Sequence, residues 1–226
     1  MTSPRKAAKH ESAGELVEGF LLRLSEGRSV DGLWIGTLHT EDSDNLLQQV
    51  EDALRTIRDY DARRYNRLRR DLQRIWVKVQ PGGNTGLYNP SLKACELDPR
   101  LLSRKGVTPS DIASVIVHEA THARVQRFGF PESLRNRIES LCRRQEHAFS
   151  ERLPLPEGQK IRDKLKRMEE VPEDFWSDAE IRKRKKARGH EAFLYLGVPR
   201  WMVPLVRLVS WPLSVIVRWL SGLTRA

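Results

Sequence analysis

Two histidines four residues apart, with a glutamate directly after the first, are the residues of this sequence best suited to chemistry: His118-Glu119-Ala120-Thr121-His122. On a helix, positions i and i+4 lie on one face, so two imidazoles can reach a single cation without strain. Glu119 sits beside them, where its carboxylate can take a proton from water that Zn2+ has acidified towards neutrality. A purely structural zinc site has no need of that carboxylate. The pattern therefore predicts a zinc-dependent hydrolase that cleaves amide bonds in a peptide or protein, with Glu119 as general base. The small residues Ala120, Thr121 and Ala123 leave room for close packing around an ion, and the preceding Val115-Ile116-Val117 ties the helix to a core.

The elements that must hold these residues are marked by their ends. Thr108 is suited to cap a helix, Pro109 to its first position, and Asp111 to close a capping box. Gly129 and Pro131 then mark its end. A second helix is predicted from about Pro131 to Arg152, stopped by Pro154, and the short turn makes the pair antiparallel. Catalytic zinc takes three protein ligands, and Val125 and Phe128 stand where the Gly and third His of an HExxHxxGxxH pattern belong. The second helix offers Glu139, Cys142, Glu146 and His147 instead. With the turn centred near residue 130, the metal lies level with about residue 140, and Glu146 falls roughly 9 Å further along the axis. Glu139 is the expected third ligand. Cys142 and Glu146 are the alternatives, Glu146 also as a partner orienting His118, and His147 is expected in solvent.

Around this pair the chain divides into four parts. Residues 1–14 read as a disordered basic arm, 15–155 as the metallohydrolase domain, 156–200 as a charged helical linker, and 201–226 as an apolar amphipathic C-terminal helix. Within the domain, residues 14–38 suggest a helix followed by a strand, and 43–72 one long helix or a broken pair. The runs 74–80 and 86–97, separated by the turn signal Pro81-Gly82-Gly83-Asn84, suggest a β-hairpin. In the tail, Arg207, Ser210, Ser214, Arg218 and Ser221 form one narrow polar stripe, and Trp201, Trp211 and Trp219 suit a lipid interface. A central arginine costs roughly 2.5–3.5 kcal/mol on insertion, which argues for a helix lying in the membrane surface rather than spanning it.

Residues 108–152, with the extended stretch before them, resemble the gluzincins, the thermolysin-like zincins that carry HExxH on one helix and a glutamate on the next. That resemblance implies an α+β zincin-like fold in which a small β-sheet precedes the active-site helix. It implies Zn2+ as cofactor, with His118, His122 and Glu139 as ligands, and an edge strand that holds an extended peptide. The strands near 74–80 and 86–97 are the candidates for that edge. His147, His190, Tyr88 and Tyr195 are the residues available to stabilise an oxyanion.

Composition narrows the setting. The chain of 226 residues carries a net charge of +10 and has a pI near 9.9. Two cysteines do not make a disulfide framework and suit a reducing compartment. The N-terminal residues have no apolar run of the secretory type. The expected location is cytoplasmic, and peripheral on the inner face of a membrane if the tail and the basic run Arg182–Arg188 (RKRKKAR) meet anionic lipid. The rival reading is a non-catalytic zinc-binding regulatory module that uses its basic surface to contact membrane or nucleic acid. RKRKKAR lacks the interleaved aromatics of a nucleic-acid platform, which disfavours the second of these partners.

Overall fold

The structure is a computed structural model and describes residues 13–38, 42–80, 83–126, 132–169, 178–195 and 199–202. The chain forms two compact units, one of residues 25–197 and one built from residues 1–24 and 198–226. In the smaller unit the described residues are helix α1 (Ala13–Arg23), Leu24 and the short stretch 199–202.

The larger unit is α+β. Its elements run β1 (Glu26–Val30), β2 (Leu33–Thr37), α2 (Ser43–Tyr60), α3 (Ala62–Asp71), β3 (Arg74–Val77), β4 (Gly86–Asn89), β5 (Ala94–Leu97), α4 (Pro99–Leu102), α5 (Pro109–Val125), α6 (Arg135–Ser150), α7 (Leu155–Glu169) and α8 (Asp178–Tyr195). The five strands form one mixed sheet in the order β1-β2-β3-β5-β4. The three central strands are parallel and both outer pairs antiparallel.

Local chemistry explains several boundaries. Asp31 and Gly32, both at positive φ (49° and 82°), make the two-residue turn that joins β1 to β2, as a tight hairpin requires. The stretch 43–72 is a broken pair of helices. Asp61 ends α2, and its carboxylate accepts the backbone N–H of Arg64 to start α3. Helix α5 begins with the reciprocal Thr108–Asp111 capping box and Pro109 at its first position. It is described to Gln126, so Gly129 and Pro131 lie outside the described residues.

The expected hairpin between 74–80 and 86–97 does not form. β3 lies in the middle of the sheet, paired in parallel with β2 and β5. The hairpin is instead internal to 86–97, where β4 and β5 pair around the turn 90–93 that contains Pro90. Burial accounts for the order. Ala94–Leu97 is buried throughout and belongs between neighbours, whereas Gly86–Asn89 is partly exposed and takes the edge. Only β4, of the two stretches expected to hold a peptide, has an edge free of another strand among the described residues.

One apolar core lies between the sheet and the helices. Ile35, Ile75, Val77, Cys95 and Leu97 point into it from alternate strand positions, and Val50, Leu54, Ile57, Ile112 and Ile116 meet them from α2 and α5. Helix α5 is buried on nearly every side, with Ala113, Val115, Val117, Ala120 and Ala123 also in the core. Ile161 and Leu165 of α7 are buried in that same core. The core thus continues past residue 155, into the stretch whose charge suggests a linker.

Candidate metal site

Two facing stripes make the site. On α5, Ser114, His118 and His122 recur every fourth residue; on α6, Glu139, Cys142 and Glu146 recur at three and four. Contacts pair 114 with 146, 118 with both 146 and 139, and 122 with 139, so the two helices run antiparallel.

The two Nε2 atoms of His118 and His122 are 3.1 Å apart. The Glu139 carboxylate straddles them, Oε2 at 3.4 Å from His118 and Oε1 at 3.4 Å from His122. Zinc bonds of about 2.0–2.2 Å to N and O give tetrahedral edges of about 3.3–3.5 Å, so each contact in this triangle of donor groups is near the length of such an edge, with a different carboxylate oxygen facing each imidazole. The donor atoms of His118, His122 and Cys142 also lie within 4.8 Å of one another, a group that could hold a metal ion. The thiol is thus a neighbouring donor, and the carboxylate faces each imidazole with one oxygen.

Behind the triangle, Glu146 is buried with its Oε2 at 3.0 Å from His118 Nδ1, while its Oε1 accepts the Ser114 hydroxyl at 2.8 Å. A carboxylate at Nδ1 holds the proton there and leaves the Nε2 lone pair for the cation. Glu146 therefore fixes the orientation of the His118 ring.

Glu119 is 7% exposed and stands on the sheet side of α5. Its carboxylate accepts the backbone N–H of Tyr88 in β4. The strand crosses so closely that a Cβ at Gly86 would sit 2.5 Å from Val115 Cγ1 and 3.1 Å from both Cγ and Oε1 of Glu119. The Asp98 N–H bonds the Thr85 carbonyl. The antiparallel alternation from that pair turns the N–H and C=O groups of Gly86 and Tyr88 away from β5, to the outer edge.

Electrostatically the cluster is a cage of three glutamates around two imidazoles. Burial pushes Glu119 up to about 7, helped by Glu139 and Glu146 and opposed by His118. Burial, with the charge of His118, brings His122 down to about 4. Burial also works against a charged His118, but its hydrogen bonds to Glu139 and Glu146 and the charge of Glu119 outweigh that, and its pKa lies well above the ordinary value. Glu139 is held below the usual carboxylate range despite burial, by the His118 hydrogen bond and the His122 charge. Burial and the three glutamates raise the Cys142 thiol far above its ordinary value. The carboxylates thus draw positive charge to the spot between the imidazoles, and a divalent cation there would displace the proton that His118 otherwise holds.

Glu119, His118, His122, Glu139, Cys142 and Glu146 are therefore brought together. His147 is exposed on the other side of α6, paired with Glu151 at 3.6 Å. The Tyr195 ring lies under the Arg100 guanidinium. Tyr88 packs against the core and offers the site its backbone. The side chain of His190 lies outside the described residues, as do Trp211 and Trp219; Trp201 is exposed in the smaller unit. Among the described residues no helix is long and apolar enough to cross a membrane. Sequence reasoning missed Ser114, one turn before His118, and Gly86, although a glycine within a strand signals close approach of another group.

No family model, no curated protein and no solved structure matches the chain. The functional reading rests on this geometry alone.

Proposed function

We propose that the protein is a zinc-dependent peptidase of the gluzincin type, an α+β zincin in which His118, His122 and Glu139 hold the metal and Glu119 moves the proton. The donor triangle carries the reading, with the two imidazole nitrogens 3.1 Å apart and a separate Glu139 oxygen 3.4 Å from each, together with a buried carboxylate next to it on the same helix. Bound zinc would supply the Lewis acidity that activates water and polarises a substrate carbonyl.

The chain's own residues do the rest. Glu119, buried and beside the metal ligands, can take a proton from the attacking water and return it to the leaving amine. The Tyr88 N–H steadies that carboxylate. The outward N–H and C=O of Gly86 accept an extended peptide as a sixth strand and lay its backbone across α5, beside the Tyr88 N–H that the Glu119 carboxylate already takes. Glu146 and Ser114 keep the His118 ring in register with the metal.

A second reading has one observation in its favour. If Cys142 took the fourth position, the site would be closed by four protein donors, as in structural zinc centres. The chain would then be a non-catalytic zinc-binding regulatory module. Glu119→Gln separates the two. The peptidase reading predicts that the variant keeps its zinc and loses more than a hundredfold of its cleavage of a denatured protein substrate. A wild type that binds zinc and cleaves none of a diverse peptide pool would leave the regulatory module.

A further inference from the structure

On the side of α6 turned away from the metal, a cavity of about 900 Å³ opens against Leu165 of α7. Arg137, Arg143, Arg144 and His147 line it, together with two serine hydroxyls and the Asn136 amide, and among the described residues no carboxylate lines it. Arg137, Ser140, Arg144 and His147 follow one another by three and four, so they form a single stripe on α6, with Ser133 in the short turn before it. It is the reverse of the stripe that carries Glu139, Cys142 and Glu146.

A run of basic residues on a helix is most often a solvated face. Three features set this one apart. It lines a concavity of the size that small ligands use. Its three arginines carry donors only, in guanidinium forks that match phosphate oxygens. Among the described residues few carboxylates touch it. Glu151 reaches His147 and Glu139 feels Arg143, while Arg137 and Arg144 make no ion pair among the described residues. Arg137 and Arg144 are seven residues apart, about 10 Å along the helix, with Arg143 between them. One phosphate can engage only part of this row of three guanidinium groups; a chain of phosphates can engage all of it.

We propose that this cavity binds a small polyphosphate anion, either an inorganic chain or the triphosphate of a nucleotide. The proposal is independent of the peptidase reading, since no residue of the donor triangle lines the cavity.

The test is calorimetric titration of the full chain at physiological salt with inorganic tripolyphosphate, with ATP and with orthophosphate, repeated on Arg137→Ala/Arg144→Ala. Both side chains are exposed, so the fold should persist, and circular dichroism checks that it does. A second double variant, Arg182→Ala/Lys183→Ala, removes the same charge from α8. The metal site is intact in all three proteins, so heat from metal exchange is common to them and drops out of the comparison. The expected result is single-site binding of tripolyphosphate, weakened at least thirtyfold by the α6 variant and less than threefold by the α8 variant, with orthophosphate far weaker. ATP binding more tightly than tripolyphosphate would assign the ligand to nucleotides, and equal binding to the phosphate chain itself. Equal weakening by both double variants, or no saturable binding in the wild type, overturns the proposal.

Discussion

Adding a single methyl group at Gly86 tests how β4 and α5 are fitted together. The new carbon would stand 2.5 Å from Val115 Cγ1, whereas carbons at rest lie about 3.5–4.0 Å apart. Strand and helix must therefore separate by about 1 Å. Neither side yields easily, because Val115 is 4% exposed within the core and β4 is tied to β5 along its length. Overpacking of this kind costs about 1–3 kcal/mol, which for a protein of this size lowers Tm by about 2–12 °C. The same carbon meets Glu119 Cγ and Oε1 at 3.1 Å, so the general base moves and its bond to the Tyr88 N–H lengthens. His118, His122 and Glu139 touch none of this. Gly86→Ala should therefore keep its zinc while losing both thermal stability and cleavage, as read by circular dichroism, metal analysis and peptide hydrolysis. A variant that melts within a degree of wild type and cleaves at the same rate would refute the close approach, and with it the role given to β4.

Three further outcomes are expected. Glu146→Ala leaves His118 without the carboxylate that orients it, and zinc affinity measured by competition with a chelator should fall about 10–100-fold; Ser114→Ala, which removes only the outer bond, should cost less. The Asp111 carboxylate caps Thr108 and pairs with Lys160 at 2.5 Å, and despite the opposing effect of burial its pKa lies below the usual range. A depressed folded pKa contributes stability above the unfolded value of about 3.9, lost as pH falls through the folded one. Asp111→Asn should accordingly cost about 0.5–2 kcal/mol in urea unfolding at pH 6, with the gap to wild type closing near pH 3. Removal of zinc from the wild type should leave a cage of unbalanced carboxylates, so the chelated protein should melt at a lower temperature and recover on adding zinc.

The site was more legible in the sequence than the sheet. HExxH, the Thr108–Asp111 box and the short helical connection are local signals, and helix period alone put Glu139 level with the two histidines. Glu146 behind His118 follows from the same period one step on. The sheet depends on contacts that leave no local mark. β2, β3 and β5 pair in parallel across long stretches of chain, so neighbours in sequence gave the wrong hairpin. Glu26–Val30 has few residues of high strand propensity, and β1 could have been found only from Asp31-Gly32, a hairpin signal in its own right. Ser114 and Gly86 were missed because their partners come from elsewhere in the fold. The length of the core was hidden by charge: Ile161 and Leu165 are buried apolar positions in an otherwise charged helix.

The account turns on the donor triangle, and metal content tests it most directly. Purified wild type should hold about one zinc per chain; His118→Ala and Glu139→Ala should hold almost none, and Cys142→Ser should hold as much as wild type. Zinc kept by Glu139→Ala and lost from Cys142→Ser would contradict the assignment and make Cys142 the third ligand in place of Glu139. A wild type that takes up no zinc even on reconstitution would contradict the metal site itself.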